Sequence, residues 1–137
     1  MNGLLLDTHT LVWIFEGLRI GDAARTMIER TWSAGDHIFV SPISAWEIGM
    51  LTAKGRITLS TDPARWIARL LATPSVKLSE MSPALLIEAS YLPAPLHKDP
   101  ADRILVATAR HHDLTLITRD RMLLAYAKAG HLRAIAC

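Results

Sequence analysis

Apolar positions along the chain fall into two patterns. Short uninterrupted runs alternate with longer segments in which apolar residues recur at helical spacing. "LLL" at 4–6, "HIFVS" at 37–41 and "LTLIT" at 114–118 are of the first kind and predict strands over 3–7, 37–41 and 114–118. "VKLSEM" at 76–81 and "LRAIA" at 132–136 extend the strand set to five. Between them, "AARTMIERTWS" at 23–33 predicts a helix behind Asp22 as N-cap, and "PARWIARLLA" at 63–72 another behind Asp62. Ser41-Pro42 and Ser82-Pro83 each place a capping hydroxyl before a proline at the first helical position, and Asp99-Pro100 does the same with a carboxylate. Gly55 and Gly130 are the expected stops for the helix after Ser41 and for the helix in "DRMLLAYAKAG".

Strands alternating with helices predict an α/β fold, a central parallel sheet of about five strands with helices on both faces. "LLL" and "LTLI" lack polar alternation, as central strands buried on both faces should. In such sheets ligands bind in the crevice beyond the carboxyl ends of the strands. That rule makes the polar residues at strand ends the first candidates for chemistry.

Four acids meet it. Asp7 ends the "LLL" strand and Asp120 lies two residues past "LTLIT". Glu47 lies in the helix that leaves "HIFVS", and Asp102 in the first turn of the "DPADR" helix that runs back into "LTLIT". Topology brings all four to one rim. Each also has an ordinary structural reading: Asp120 as an N-cap, Asp102 as half of a capping arrangement with Asp99, Glu47 as a local partner of Ser44, and Asp7 as a turn former with Thr8 and Thr10. Capping does not require four ends to present acids on one edge. Two carboxylates ~5 Å apart repel by roughly 3 kcal/mol at an effective dielectric of ~20. A cluster of four therefore calls for protonation or a cation. Oxygen donors, with no cysteine pair and no closely spaced histidine pair, suit a hard divalent ion, Mg²⁺ or Mn²⁺. An ion so held activates water and neutralises charge on a scissile phosphodiester, the chemistry of a metal-dependent nuclease.

Bulk properties narrow the picture without deciding it. The 137 residues fit one domain, 1–137, with no repeat or linker. Half of the residues are hydrophobic, enough for a large core and for some apolar surface covered by a partner. A formal charge of +2 is too mild to announce nucleic-acid binding. The one cysteine, Cys137, excludes an intramolecular disulfide and a cysteine-rich metal site. No signal peptide or membrane-length apolar run is evident, so a cytoplasmic protein that makes no membrane contact is expected.

Four segments, "LLLDTHTLVW", "VSPISAWEIGML", "HKDPADRILVATAR" and "LTLITRD", occur in an order and spacing that resembles PIN-domain ribonucleases, specifically the VapC-type toxins of bacterial toxin–antitoxin pairs. The resemblance spans the chain from near residue 4 to near 120. It implies a PIN-domain-like three-layer sandwich and an endoribonuclease with an acidic Mg²⁺ or Mn²⁺ pocket. It also implies a homodimer inhibited by a cognate antitoxin protein. By the same resemblance Asp7, Glu47, Asp102 and Asp120 are the catalytic and metal-binding acids. Thr118 matches a hydroxyl residue often found beside the last of them.

Two positions depart from the pattern: Ala101 stands where a larger residue is common, and Arg119 where a smaller polar one is. Thr118, Arg103 and Arg119 are the candidates for contact with RNA. Lys98, Arg121, Lys54 and Arg56 lie near the rim in sequence and also read as ordinary surface charge, while His97 is the histidine nearest the site. Trp13, Ile14, Phe15, Trp46 and Trp66 are core residues or the lining of a groove for an apolar antitoxin helix.

Two phosphate-handling alternatives fit less well. A haloacid-dehalogenase-type phosphatase needs a second Asp two residues after the first, where His9 stands. A phosphate-accepting receiver domain needs a strand-end Lys that is not present. The remaining alternative is a non-catalytic PIN-like module that binds RNA or protein, which metal titration separates from a nuclease.

Overall fold

A computed structural model describes residues 3–137. Five parallel strands form one sheet: β1 (Leu4–Leu6), β2 (Ile38–Val40), β3 (Val76–Leu78), β4 (Thr115–Thr118) and β5 (Ala134–Ala136), in the order β3-β2-β1-β4-β5. Leu5 pairs with Phe39 on one side and Leu116 on the other, which puts β1 at the centre. Seven helices connect the strands: α1 (Thr8–Phe15), α2 (Asp22–Ser33), α3 (Pro42–Ala53), α4 (Pro63–Leu71), α5 (Pro83–Ser90), α6 (Pro100–His111) and α7 (Arg121–Lys128).

The leucine run is explained by the pleat. Leu4 and Leu6 join one core cluster with Leu11 and Val12 of α1, Ala24 and Ile28 of α2, Ile48 of α3 and Trp66 and Leu70 of α4. Leu5 points the other way, into a cluster with Leu105 and Val106 of α6 and Leu123 and Tyr126 of α7. A strand covered on both faces has no solvent side, hence no polar alternation. Leu5 is 0 % exposed. Leu5→Ala is expected to cost about 2–5 kcal/mol of unfolding free energy, read as a shift in the urea midpoint, because the flanking strands cannot close the cavity it leaves.

The chain winds outward from β1 to β2 and β3, then returns across the sheet to β4 and β5. Strand order therefore reverses between β1 and β4, and the carboxyl ends of those two strands open a crevice. Asp7 and the Thr118–Asp120 segment stand at its two lips.

Several boundaries differ from the sequence-based expectation. Helix α1 was not signalled: "THTLVWIF" is short, β-branched and carries two threonines, a poor helix former by propensity. It forms because Asp7 caps it and because it buries Leu11 and Val12 while Thr8 bonds α3. Asp22 is not the cap of α2. Gly21 is, and Asp22 lies in the first turn paired with Arg25 at 2.9 Å. A side chain at Gly21 would begin 3.2 Å from the Cys137 backbone carbon, a tight approach by the residue that follows β5. β3 ends at Leu78, short of Met81, and β5 starts at Ala134 rather than Leu132. The expected caps Ser41, Asp62, Ser82 and Asp99 all bond the first turns of their helices. No helix among the described residues is long and apolar enough to cross a membrane.

Candidate metal centre

The acids expected at the rim do meet. Asp7, Glu47, Asp102 and Asp120 line one cavity of about 290 Å³ together with His9, Trp13, Asp99 and Arg119. Each acid is held by a different local device.

Asp7 follows β1 and is the N-cap of α1. Its Oδ1 accepts from the Thr8 backbone N–H at 2.7 Å and its Oδ2 from the Thr118 hydroxyl at 2.6 Å. Thr118, at the end of β4, is fully buried and accepts in turn from the Asp120 backbone N–H at 3.1 Å. One hydroxyl thus ties the acids of both central strands together, and its role is to orient Asp7. That placement differs from the RNA contact expected of Thr118.

Glu47 sits on α3, where its carboxylate accepts a short bond from the Thr8 hydroxyl. The single Thr8 hydroxyl proton is used there, so the contact of 2.9 Å with Ser44 makes Ser44 the donor to Thr8. Asp102 lies one turn into α6, its N–H bonded to the Asp99 cap at 3.0 Å and its Oδ2 2.6 Å from His97 Nε2. Asp120 caps α7, with Oδ1 accepting from the Met122 and Leu123 N–H groups at 2.8 and 3.1 Å. For Asp7 and Asp120 capping and cavity lining are therefore compatible: the cap fixes the rotamer in which each carboxylate lines the cavity.

Burial, first of all, raises the pKa of the buried members. Asp102 is pushed up to about 6, first by burial and then by the charges of Asp7, Asp99 and Asp120, against the lowering bond from His97. Glu47 is raised by burial and by Asp7 and Asp99, and Asp7 by burial and by Asp120, each partly offset by its hydroxyl bonds. These groups bind protons more readily than free carboxyls chiefly because burial disfavours their ionised forms, with the neighbouring acids adding to it. That is the electrostatic condition of a cation site. His97, Asp102 and Asp120 also bring one ligand atom each within 4.8 Å of one another. The donors present, carboxylate oxygens with one imidazole, fit Mg²⁺ or Mn²⁺.

The basic candidates divide. Arg119 lines the cavity. Arg103 does not: its guanidinium donates to the backbone carbonyls of Ala89, Leu96 and His97, so it holds the α5–α6 connection instead of facing substrate. Lys98, Arg121, Lys54 and Arg56 are exposed and outside the cavity lining. Trp66 is buried in the core, with its indole N–H bonded to Glu16, while Trp46 is 61 % exposed. Ala101 is buried.

Three lining residues carried no site assignment in the sequence reading: His9, Trp13 and Asp99. Asp99 read as a cap, which it also is. His9 and Trp13 lie four residues apart on α1 and so share a face, a signal that appears only once α1 is known to be a helix.

The PIN domain family model matches residues 4–129. The chain belongs to the PIN domain family. Ribonuclease VapC22 of Mycobacterium tuberculosis (strain ATCC 25618 / H37Rv) is 34% identical over 124 residues, covering 90% of this chain and 91% of that protein. Among solved structures, VapBC2 from Rickettsia felis bound to a promoter DNA fragment matches with a TM-score of 0.70 at 14% identity, covering 98% of both chains. A toxin–antitoxin complex from Klebsiella pneumoniae matches with a TM-score of 0.60 at 20% identity, over 96% of this chain and 95% of that one. At those identities the structures establish the shared fold, and the five-stranded parallel sheet of this PIN domain is the architecture the resemblance implied.

Proposed function

We propose that this PIN domain, a single domain over residues 1–137, is the endoribonuclease toxin of a bacterial toxin–antitoxin pair. It acts in the cytoplasm on RNA, as a homodimer, and is silenced by a cognate antitoxin protein. The observation that carries the reading is the convergence of four acids on one cavity at the switch point of the sheet. The 34% identity to a ribonuclease over most of the chain supports it.

Asp7, Glu47, Asp102 and Asp120 would hold the divalent ion. When bound, Mg²⁺ or Mn²⁺ supplies an acidified water and neutralises charge on the scissile phosphodiester. The protein's own part is preorganisation. Thr118 and the Thr8 N–H fix both oxygens of Asp7, the Thr8 hydroxyl fixes Glu47, and His97 fixes Asp102. Asp102, pushed up to about 6 chiefly by burial, would have to be deprotonated to serve as a metal ligand. Trp13 and Arg119, stacked on each other, are part of the lining of the same cavity.

The test is cleavage of single-stranded RNA by the purified chain. Cleavage in Mg²⁺ is expected to stop with EDTA and to return with excess Mn²⁺. Undiminished cleavage in EDTA, or no cleavage in either metal, sinks the reading.

A further inference from the structure

Arg119 is an arginine in an acidic cavity that pairs with none of the acids. Five carboxylate side chains share its cavity, yet among the described residues its guanidinium makes no ion pair with an acidic side chain. Two other contacts account for it. Its Nε donates to the backbone oxygen of Cys137 at 3.0 Å, and its central carbon lies 4.0 Å from the centroid of the Trp13 ring. Trp13 is itself packed against His9, with centroids 5.9 Å apart. The guanidinium therefore lies over an aromatic face and is pinned at one nitrogen. The pin uses Nε and leaves Nη1 and Nη2, the two terminal nitrogens of a rigid fork suited to two oxygens of one phosphate.

The mounting is built from the same elements as the acids. Arg119 stands between Thr118, which orients Asp7, and Asp120. Trp13 rides on α1, the helix that Asp7 caps. The fork is thus fixed relative to the carboxylates, while its positive charge is left uncompensated by them.

We propose that Arg119, held on Trp13 and the backbone oxygen of Cys137, binds the backbone phosphate of single-stranded RNA next to the one cleaved. Trp13 is a positioning residue that acts through Arg119. The inference rests on the ribonuclease reading and names how that site grips its strand.

The experiment measures equilibrium binding of a short fluorescent single-stranded RNA across a salt series, with Ca²⁺ in place of Mg²⁺ to suppress turnover. Arg119→Gln is expected to weaken binding about tenfold and to flatten the dependence of log K on log salt by about 0.7, the loss of one phosphate contact. Trp13→Leu should weaken binding several-fold, Trp13→Phe should restore most of it, and Trp13→Leu combined with Arg119→Gln should lose no more than Arg119→Gln alone. Thermal unfolding checks that each variant folds, and Arg119, being exposed, is expected to leave it unchanged. Parental affinity and salt slope in Arg119→Gln overturn the proposal. So does weaker Mn²⁺ binding with RNA affinity intact, which would make Arg119 a modulator of the acids alone. Fully additive losses remove Trp13 from the argument. Failure of the ribonuclease reading is separate: the parent then binds RNA with the Arg119 dependence and does not cleave it in Mg²⁺.

Discussion

Asp102→Asn is expected to lower RNA cleavage by on the order of 10²–10³-fold while making the metal-free protein more stable. The two effects share one cause. Asparagine keeps the volume of the side chain and retains an oxygen for His97, but removes the charge. Without it the cation loses a ligand, and the neutral amide cannot offset a divalent charge. The folded state without metal gains by the same change, because Asp102 is half-buried against Asp7, Asp99 and Asp120. Holding its carboxyl ionised there at pH 7.5 costs up to about 3 kcal/mol, from a displacement of roughly two pH units. Relief of about half of that corresponds to a rise in thermal midpoint of about 3–8 °C for a chain of this size. Initial rates in Mn²⁺ and unfolding curves in EDTA measure the two sides. A variant that is less stable and still active would contradict both the ligand role and the charge cluster. A variant that is inactive and unfolded would point instead to a structural role for the His97–Asp102 bond.

This opposition between stability and activity also shows how far the sequence could be read. The strands, six of the seven helices and the four acids follow from local rules: apolar runs bounded by capping residues, and topology that sends carboxyl ends to one edge. The Ser-Pro and Asp-Pro starts were legible because a cap and a proline act within four residues of each other. What escaped was set by contacts far apart in the chain. α1 depends on Thr8 reaching Ser44 and Glu47, 36 and 39 residues away. Thr118 reaches Asp7 across 111 residues, so its role in orienting the acid could not be told from a substrate contact. Arg103 and Arg119 look alike in sequence. One is turned back onto three carbonyls and the other is laid on Trp13 at the cavity wall. The crowding at Gly21 comes from Cys137, at the far end of the chain, and not from its neighbours in sequence.

Lowering the pH from 7.5 toward 5 is expected to stabilise the metal-free chain, opposite to the behaviour of proteins held by salt-bridged carboxylates. Asp102 binds its proton near pH 6 in the folded state and near 3.8 when free. Between those values the folded chain carries a proton that the unfolded chain lacks, so acid favours folding. The penalty is fully present above pH 6, falls away as pH drops through it, and is gone below the free value. Asp7 and Glu47 are raised as well and act in the same direction. Each bound proton contributes about 1.4 kcal/mol per pH unit across this window.

Saturating Mn²⁺ inverts the trend. The ligands must be deprotonated to bind metal, so the stabilisation it gives is largest at pH 7.5 and shrinks as protons compete. Urea midpoints in EDTA and in Mn²⁺ at pH 5.5, 6.5 and 7.5 read the sign directly. Asp102→Asn should flatten the EDTA series, since it removes the group with the widest displacement. Equal loss of stability toward pH 5.5 in the parent and in Asp102→Asn would mean that the acids are compensated within the chain, leaving no electrostatic demand for a cation at the crevice.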